Sequence, residues 1–219
     1  MAAMSTLLTN KNSFLDLASS RLLPAAPSCS VGEREEQRGD HALQIGKQDP
    51  YVRTGKPKAA AVMVPVMMRD EPTVLFTVRS DSLREHSGQV AFPGGKVDMA
   101  DSTLLDAALR EADEEIGLPS GNVGLLGYLD SYLSGSNYLV MPVVAKVDPD
   151  FSMKLNPGEV SDTFEVPMSF LMDPAHHQLH SREFAGVTRY FYAISYEQRY
   201  IWGVTAGIIH NMYERLFRA

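Results

Sequence analysis

Cysteine occurs once in the 219 residues, as Cys29, which excludes an intrachain disulfide framework and a Cys/His zinc cluster. Nothing therefore points to an oxidising compartment. No run approaches the ~20 apolar residues that a membrane helix needs. The chain does not open with a charged region followed by an apolar core, and its last residues, Leu216, Phe217, Arg218 and Ala219, do not form a peroxisomal tripeptide. The expected location is the cytoplasm, with no membrane partner. Cationic charge is also scarce: 20 Lys and Arg face 27 Asp and Glu, for a net charge of −7. That balance argues against a general nucleic-acid binder, whose affinity rests on a positive surface. Gly95-Lys96 resembles the end of a P-loop, G-x-x-x-x-G-K-[ST]. Positions 90 and 97 are both Val, however, so the phosphate cradle and the metal-binding hydroxyl are missing. The dinucleotide fingerprint G-x-G-x-x-G is absent here too, and no internal repeat is visible.

A chain that is 44% hydrophobic can bury one sizeable core, which suggests one folded domain and a short appendage. Residues 1–52 read as the appendage. Within it, 13–23 suit a short amphipathic helix through Phe14, Leu15, Leu17, Ala18, Leu22 and Leu23, which Pro24 and Pro27 end. Residues 32–40 are charged and read as a mobile linker. The helix is expected to pack on the main domain, with a membrane or partner contact as the alternative. Residues 53–219 alternate between β-rich and helical stretches. Strands are predicted over 59–67, 73–79, 89–92, 123–132, 139–147, 163–166 and 189–195, and a closing helix over 205–217. The class is α+β or α/β, with a mixed sheet between helices.

The chemistry concentrates between residues 94 and 118. Arg110-Glu111-Ala112-Asp113-Glu114-Glu115 places four carboxylates in five positions. A helix over 103–116 is predicted, capped by Asp101, Ser102 or Thr103 and stopped by Gly117. The acids then fill its last turn, where the macrodipole disfavours negative charge. At about 100° per residue, Leu105, Ala108, Leu109, Ala112 and Ile116 form an apolar stripe. Glu111, Glu114 and Glu115 gather on its flank, and Asp113 points away. A solvated acidic face is the bland alternative. Upstream, however, Phe92-Pro93-Gly94-Gly95 forms a glycine turn that lets a ligand approach the backbone closely. Convergent carboxylates repel unless a cation lies between them, and hard oxygen ligands suit Mg²⁺ or Mn²⁺.

Taken together, the segment resembles the signature of Nudix hydrolases, G-x5-E-x7-R-E-U-x-E-E-x-G-U, where U is a bulky aliphatic residue. Arg110-Glu111, Glu114-Glu115, Gly117 and Leu118 match in order. The sequence departs in three ways. Ala112 is small for its position, the spacing from Gly95 to Arg110 is one residue longer, and Asp98 and Asp101 are the nearest acids to the missing upstream Glu. A second block, 75–95, is similar to one that marks the coenzyme A diphosphatase branch of the family, through Arg79, Ser80, Arg84, Gly88, Phe92, Pro93, Gly94 and Gly95. A third, Ile201-Trp202-Gly203-Val204-Thr205-Ala206, resembles the I-W-G-x-T-A stretch near the end of those proteins.

The resemblance implies an α/β/α sandwich and metal-dependent hydrolysis of the diphosphate of coenzyme A or its thioesters. The products would be a 4′-phosphopantetheine fragment and adenosine 3′,5′-bisphosphate. Glu111 and Glu115 are the strongest metal-ligand candidates, with Glu114 and a carbonyl near Gly95 completing the set. Arg110 is expected to orient these carboxylates. Glu159, in the turn Asn156-Pro157-Gly158-Glu159, is either a general base on a closing loop or a surface residue. Glu165 reads as a solvent-facing strand residue or a structural pair. Arg79, Arg84 and His86 are candidates for the 3′-phosphate, and Phe92 is either an adenine platform or core. Two alternatives stay open: a diphosphatase for ADP-ribose or another nucleoside diphosphate derivative, and a non-catalytic nucleotide-binding module. The partner is a small molecule, and a homodimer is compatible with the chain.

Overall fold

The computed structural model describes residues 8–27, 38–44, 56–83, 86–184 and 186–218. Arg84 and most of the charged segment 32–40 lie outside these residues. The elements in chain order are α1 (Lys11–Arg21), β1 (Arg38–Gly39), β2 (Lys58–Met67), β3 (Thr73–Arg79), β4 (Val90–Ala91), β5 (Gly94–Lys96) and α2 (Leu104–Ile116). They continue with β6 (Val123–Tyr128), β7 (Tyr132–Leu133), β8 (Tyr138–Val147), β9 (Val160–Pro167), α3 (Met168–Leu171), β10 (Gln178–Phe184), β11 (Val187–Tyr196), β12 (Arg199–Trp202) and α4 (Val204–Phe217).

Strands β1 to β9 form one mixed sheet built on a long parallel pair, with Lys58 of β2 opposite Tyr138 of β8 and Met67 opposite Val147. The two central strands are apolar on both faces, which a sheet covered on both sides requires. Alternation sends Ala60, Val64 and Val66 of β2 to one core, shared with Phe14, Ala18 and Leu22 around α1 and with Ile208, Ile209, Met212 and Leu216 of α4. Ala61, Met63 and Met67 go to a second core, shared with Leu104, Ala107, Ala108, Ala112 and Ile116 of α2. The result is a sheet between helical layers. No described helix is long and apolar enough to cross a membrane.

Three departures from the sequence reading have specific physical causes. The stretch 123–132 is two strands, because Pro142 has no N–H on the side where its carbonyl accepts from Leu129 N (3.2 Å), so the ladder breaks there. The end of the charged linker is docked: Arg38–Gly39 pairs in parallel with β7, Arg38 meets Glu214 at 2.5 Å, and the Tyr132 hydroxyl donates to Asp40. Strands β10 and β12 are not foreseen at all. They flank β11 in a separate three-stranded sheet, and β10 is too polar to announce itself by hydrophobic period.

Candidate active site

Helix α2 begins where Thr103 Oγ1 accepts from Asp106 N (3.1 Å) and ends where Gly117, at φ 65° and ψ 32°, donates to Asp113 O (2.8 Å). Its buried face is Leu104, Ala107, Ala108, Ala112, Glu115 and Ile116. Leu105 and Leu109, placed in the stripe by the sequence, are only partly buried. This rotation carries Glu115 under the helix, where it is 5% exposed. Glycines make the close approach feasible. A Cβ on Gly95 would lie 2.5 Å from Glu111 Oε1 and 2.6 Å from Oε2, so the carboxylate rests directly on the glycine backbone.

Arg110 holds this end of the helix. It donates from Nε and Nη2 to Asp101 (both 3.0 Å), from Nη2 to Lys96 O (3.1 Å), and from Nη1 to Glu111 Oε1 (2.9 Å) and Glu114 Oε2 (3.4 Å). Asp101, a cap candidate in the sequence, is instead the anchor of Arg110. Glu114 is exposed and sits at the rim, with Arg110 as its partner. Asp113 is exposed, as the helical wheel predicts.

The acids within electrostatic reach of one another are Glu111, Glu115 and Glu159. The loop carrying Glu159 is tied to the helix end by Asn156 N donating to Glu115 O (2.9 Å), and to β3 by Ser80 N donating to Glu159 O (2.8 Å). Asn156 Nδ2 also donates to Glu159 Oε1 (3.3 Å). Burial pushes the Glu115 carboxyl up to about 8; the charges of Glu111 and Glu159 add to the rise, against the Gly94 N–H and the Arg79 charge. Burial likewise raises Glu111, partly offset by Arg110. Glu115 Oε2 and Arg79 Nε are buried with no hydrogen-bond partner.

Among the described residues no three acidic, His or Cys side chains are grouped so that they could hold a metal ion, so the convergence of Glu111, Glu114 and Glu115 expected from the sequence is not seen. Mg²⁺ seldom needs such a group, since it keeps several waters and takes substrate phosphate oxygens alongside one or two carboxylates. The orphaned oxygen of Glu115 and the mutual repulsion of its neighbours fit a divalent cation. The remaining sequence candidates separate. His86, at φ 60°, is exposed and contacts Gln89 Oε1 through Nδ1 (2.8 Å). Phe92 is 4% exposed and stacks on Phe76 at 5.0 Å, so it belongs to the core and is no adenine platform. Glu165 is a structural pair, with Arg69 Nη2 at 2.6 Å and the Thr73 hydroxyl also on its carboxylate.

The raised Glu115 makes the metal-free protein sensitive to pH. Its folded state binds the proton more tightly than the unfolded chain, so this contribution is complete below about pH 4.5 and is lost as pH rises through about 8. At about 1.4 kcal/mol per unit, the loss amounts to a few kcal/mol. Urea melts in chelator are expected to show stability falling between pH 5 and 8, and Glu115→Gln to flatten the slope. An unchanged slope in that variant would contradict the assignment.

The model of the NUDIX domain family matches residues 57–185. An uncharacterized Nudix hydrolase of Yersinia enterocolitica, NudL, is 39% identical over 174 residues, covering 80% of this chain and 89% of the relative. NudL of Photorhabdus laumondii is 41% identical over 157 residues, covering 72% and 84%. Among solved structures, DR0079 of Deinococcus radiodurans superposes with a TM-score of 0.49 at 16% identity, covering 77% of this chain and 90% of that one. An Ap4A hydrolase of C. elegans does so with a TM-score of 0.43 at 19% identity, covering 50% and 80%. The protein is a hydrolase that acts on diphosphate bonds. The chain belongs to the Nudix family, whose fold it has and whose members generally use divalent cations.

Proposed function

We propose that the protein hydrolyses the diphosphate of coenzyme A or its thioesters, releasing a 4′-phosphopantetheine fragment and adenosine 3′,5′-bisphosphate. One observation carries this reading. The block 75–95 that resembles the coenzyme A branch is joined to the acids: Arg79 is close enough for its charge to act on Glu115, and the next residue, Ser80, holds the Glu159 loop.

A diphosphate is negatively charged at both phosphorus centres, so its hydrolysis calls for charge neutralisation and a positioned water more than for covalent catalysis. Mg²⁺ or Mn²⁺, when bound, supplies the neutralisation and makes water a better nucleophile. Glu111 and Glu115 are the ligands we assign, with Gly95 as a carbonyl candidate and Glu114 as a peripheral acid. Arg110 keeps Glu111 oriented through its grip on Asp101. Glu159 stands on a loop bonded to both the helix end and β3, a suitable place from which to accept a proton from the attacking water. Arg79 is the first candidate for a substrate phosphate, because its buried Nε has an unused proton. His86, which is exposed, would act nearer the solvent end, and Arg84 stays a candidate from the sequence block alone. The cytoplasm is the proposed setting.

Coenzyme A differs from its dephospho form by the 3′-phosphate, which makes the pair a direct test. A charge-assisted contact is worth roughly 1.5 to 3 kcal/mol, so kcat/KM is expected to favour coenzyme A by about ten- to a hundred-fold. Alanine at the contacting cation, Arg79, Arg84 or His86, should erase that preference. Equal kcat/KM for the two wild-type substrates would show that no such contact exists. Faster hydrolysis of ADP-ribose than of either would transfer the assignment to that substrate.

A further inference from the structure

The sheet β10–β11–β12 carries a concavity that the diphosphate chemistry does not use. Strand alternation sorts its residues: Ile194 and Ile201 face the core under α4, whereas Phe191, Tyr200 and Trp202 lie on the opposite face. Together with His180, Ser181 and Arg182 they line an open cleft of about 510 Å³. Phe191 and Trp202 meet at 5.4 Å with their planes tilted by 58°. His180 lies between the Tyr200 hydroxyl (2.7 Å from Nδ1) and Gln178 Oε1 (3.0 Å from Nε2), so the Tyr200 ring is tethered although the residue is 42% exposed. Rings held in place yet open to solvent offer stacking surface without an ordering cost.

The cleft also carries positive charge in a chain whose net charge is −7. Arg182 is directly opposite Arg189 in the β10–β11 register, and like charges in that position destabilise a sheet. Arg189 has the charge of Asp40 within reach, whereas no ion pair among the described residues engages Arg182. An anion at Arg182 would relieve the pair. The cleft is connected to the catalytic end of the molecule: Arg199, which opens β12, pairs with Asp162 at 2.5 Å and lies over the Phe164 ring, both on the strand that follows the Glu159 loop.

We propose that this cleft is a nucleotide-binding site, which stacks a nucleobase on Tyr200 and Trp202 and pairs the attached phosphate with Arg182. Flat rings beside a fork of guanidinium donors match the two halves of a nucleotide. The choice of adenine as probe rests on the coenzyme A reading; the class, a nucleobase joined to a phosphate, does not.

Trp202 is the only tryptophan in the sequence, so intrinsic fluorescence reports on the cleft directly. The full chain is titrated in chelator, which keeps the metal site out of play, with AMP and adenosine 3′,5′-bisphosphate. Adenosine and inorganic phosphate serve as separate controls. Both nucleotides are expected to change the emission saturably, with Kd about tenfold or more weaker for adenosine, which lacks the phosphate. Arg182→Ala and Tyr200→Ala alter exposed side chains and should melt near the wild-type temperature while each raises Kd about tenfold. No saturable change with either nucleotide would overturn the proposal, as would an unchanged Kd in both variants. Failure to hydrolyse coenzyme A with the fluorescence response intact would remove the substrate assignment and leave the cleft standing.

Discussion

Glu115→Gln is expected to lower kcat by about two orders of magnitude or more, the size of effect that follows removal of one preorganised electrostatic stabiliser. Glu115 is the buried acid of α2, with one carboxylate oxygen unpartnered and Glu111 and Glu159 as neighbours. The amide keeps the shape and the Gly94 contact but cannot balance a cation. Glu111→Gln should behave alike, since its carboxylate lies flat against Gly95. Asp113→Asn is the control. That residue lies between the ligands in sequence but is exposed in the structure, and its replacement should be nearly silent in steady-state kinetics. Comparable damage from Asp113→Asn and Glu115→Gln would refute the site, because it would mean that net charge on the helix, rather than placement, matters. Glu115→Gln should not destabilise the metal-free fold at neutral pH, since the amide is neutral without the proton uptake that burial forces on the acid.

Chelation is expected to have an even larger effect: EDTA should abolish turnover, and Mg²⁺ or Mn²⁺ should restore it. The chain's own cations cannot substitute. Arg110 is committed to Asp101, Lys96 O, Glu111 and Glu114, and Arg79 influences Glu115 without a hydrogen bond to it. Glu115 therefore has no hydrogen-bonded cation of its own, Glu111 shares Arg110 with Asp101 and Glu114, and a bound diphosphate would bring still more negative charge. Full turnover in chelator would overturn the mechanism. Restoration by the cation should also raise thermal stability, since a cation bound only by the folded state shifts the folding equilibrium.

Much of the fold was legible because it rests on local or strictly periodic signals. The central strands declare themselves by unbroken apolar runs, and α2 by Thr103, Gly117 and its 3.6-residue stripe. Where the reading slipped, long-range partners made the decision. Pro142 in one strand interrupts the pairing of 123–132, and Tyr132 and Glu214 bind the end of the charged linker at Asp40 and Arg38. Strand β10 takes its form from β11, whose register supplies the hydrogen bonds that its own polar sequence does not announce.

The same division runs through the site. The sequence by itself determined which acids share a face, because positions 111, 114 and 115 lie on one flank through helical geometry alone, and it placed the Gly94-Gly95 pair ahead of them, which the structure makes part of strand β5. Tertiary packing decided which acids come within reach of one another. The helix settles on Gly94 and Gly95 with its buried face turned toward Glu115, so that acid goes under while Glu114 stays in solvent with Arg110. It also brought Glu159 from 44 residues downstream of Glu115 through the Asn156 amide, and it assigned Phe92 to the core. Burial, and with it the shift of a carboxyl to about 8, depends on what covers a residue from other parts of the chain, and no local pattern records that.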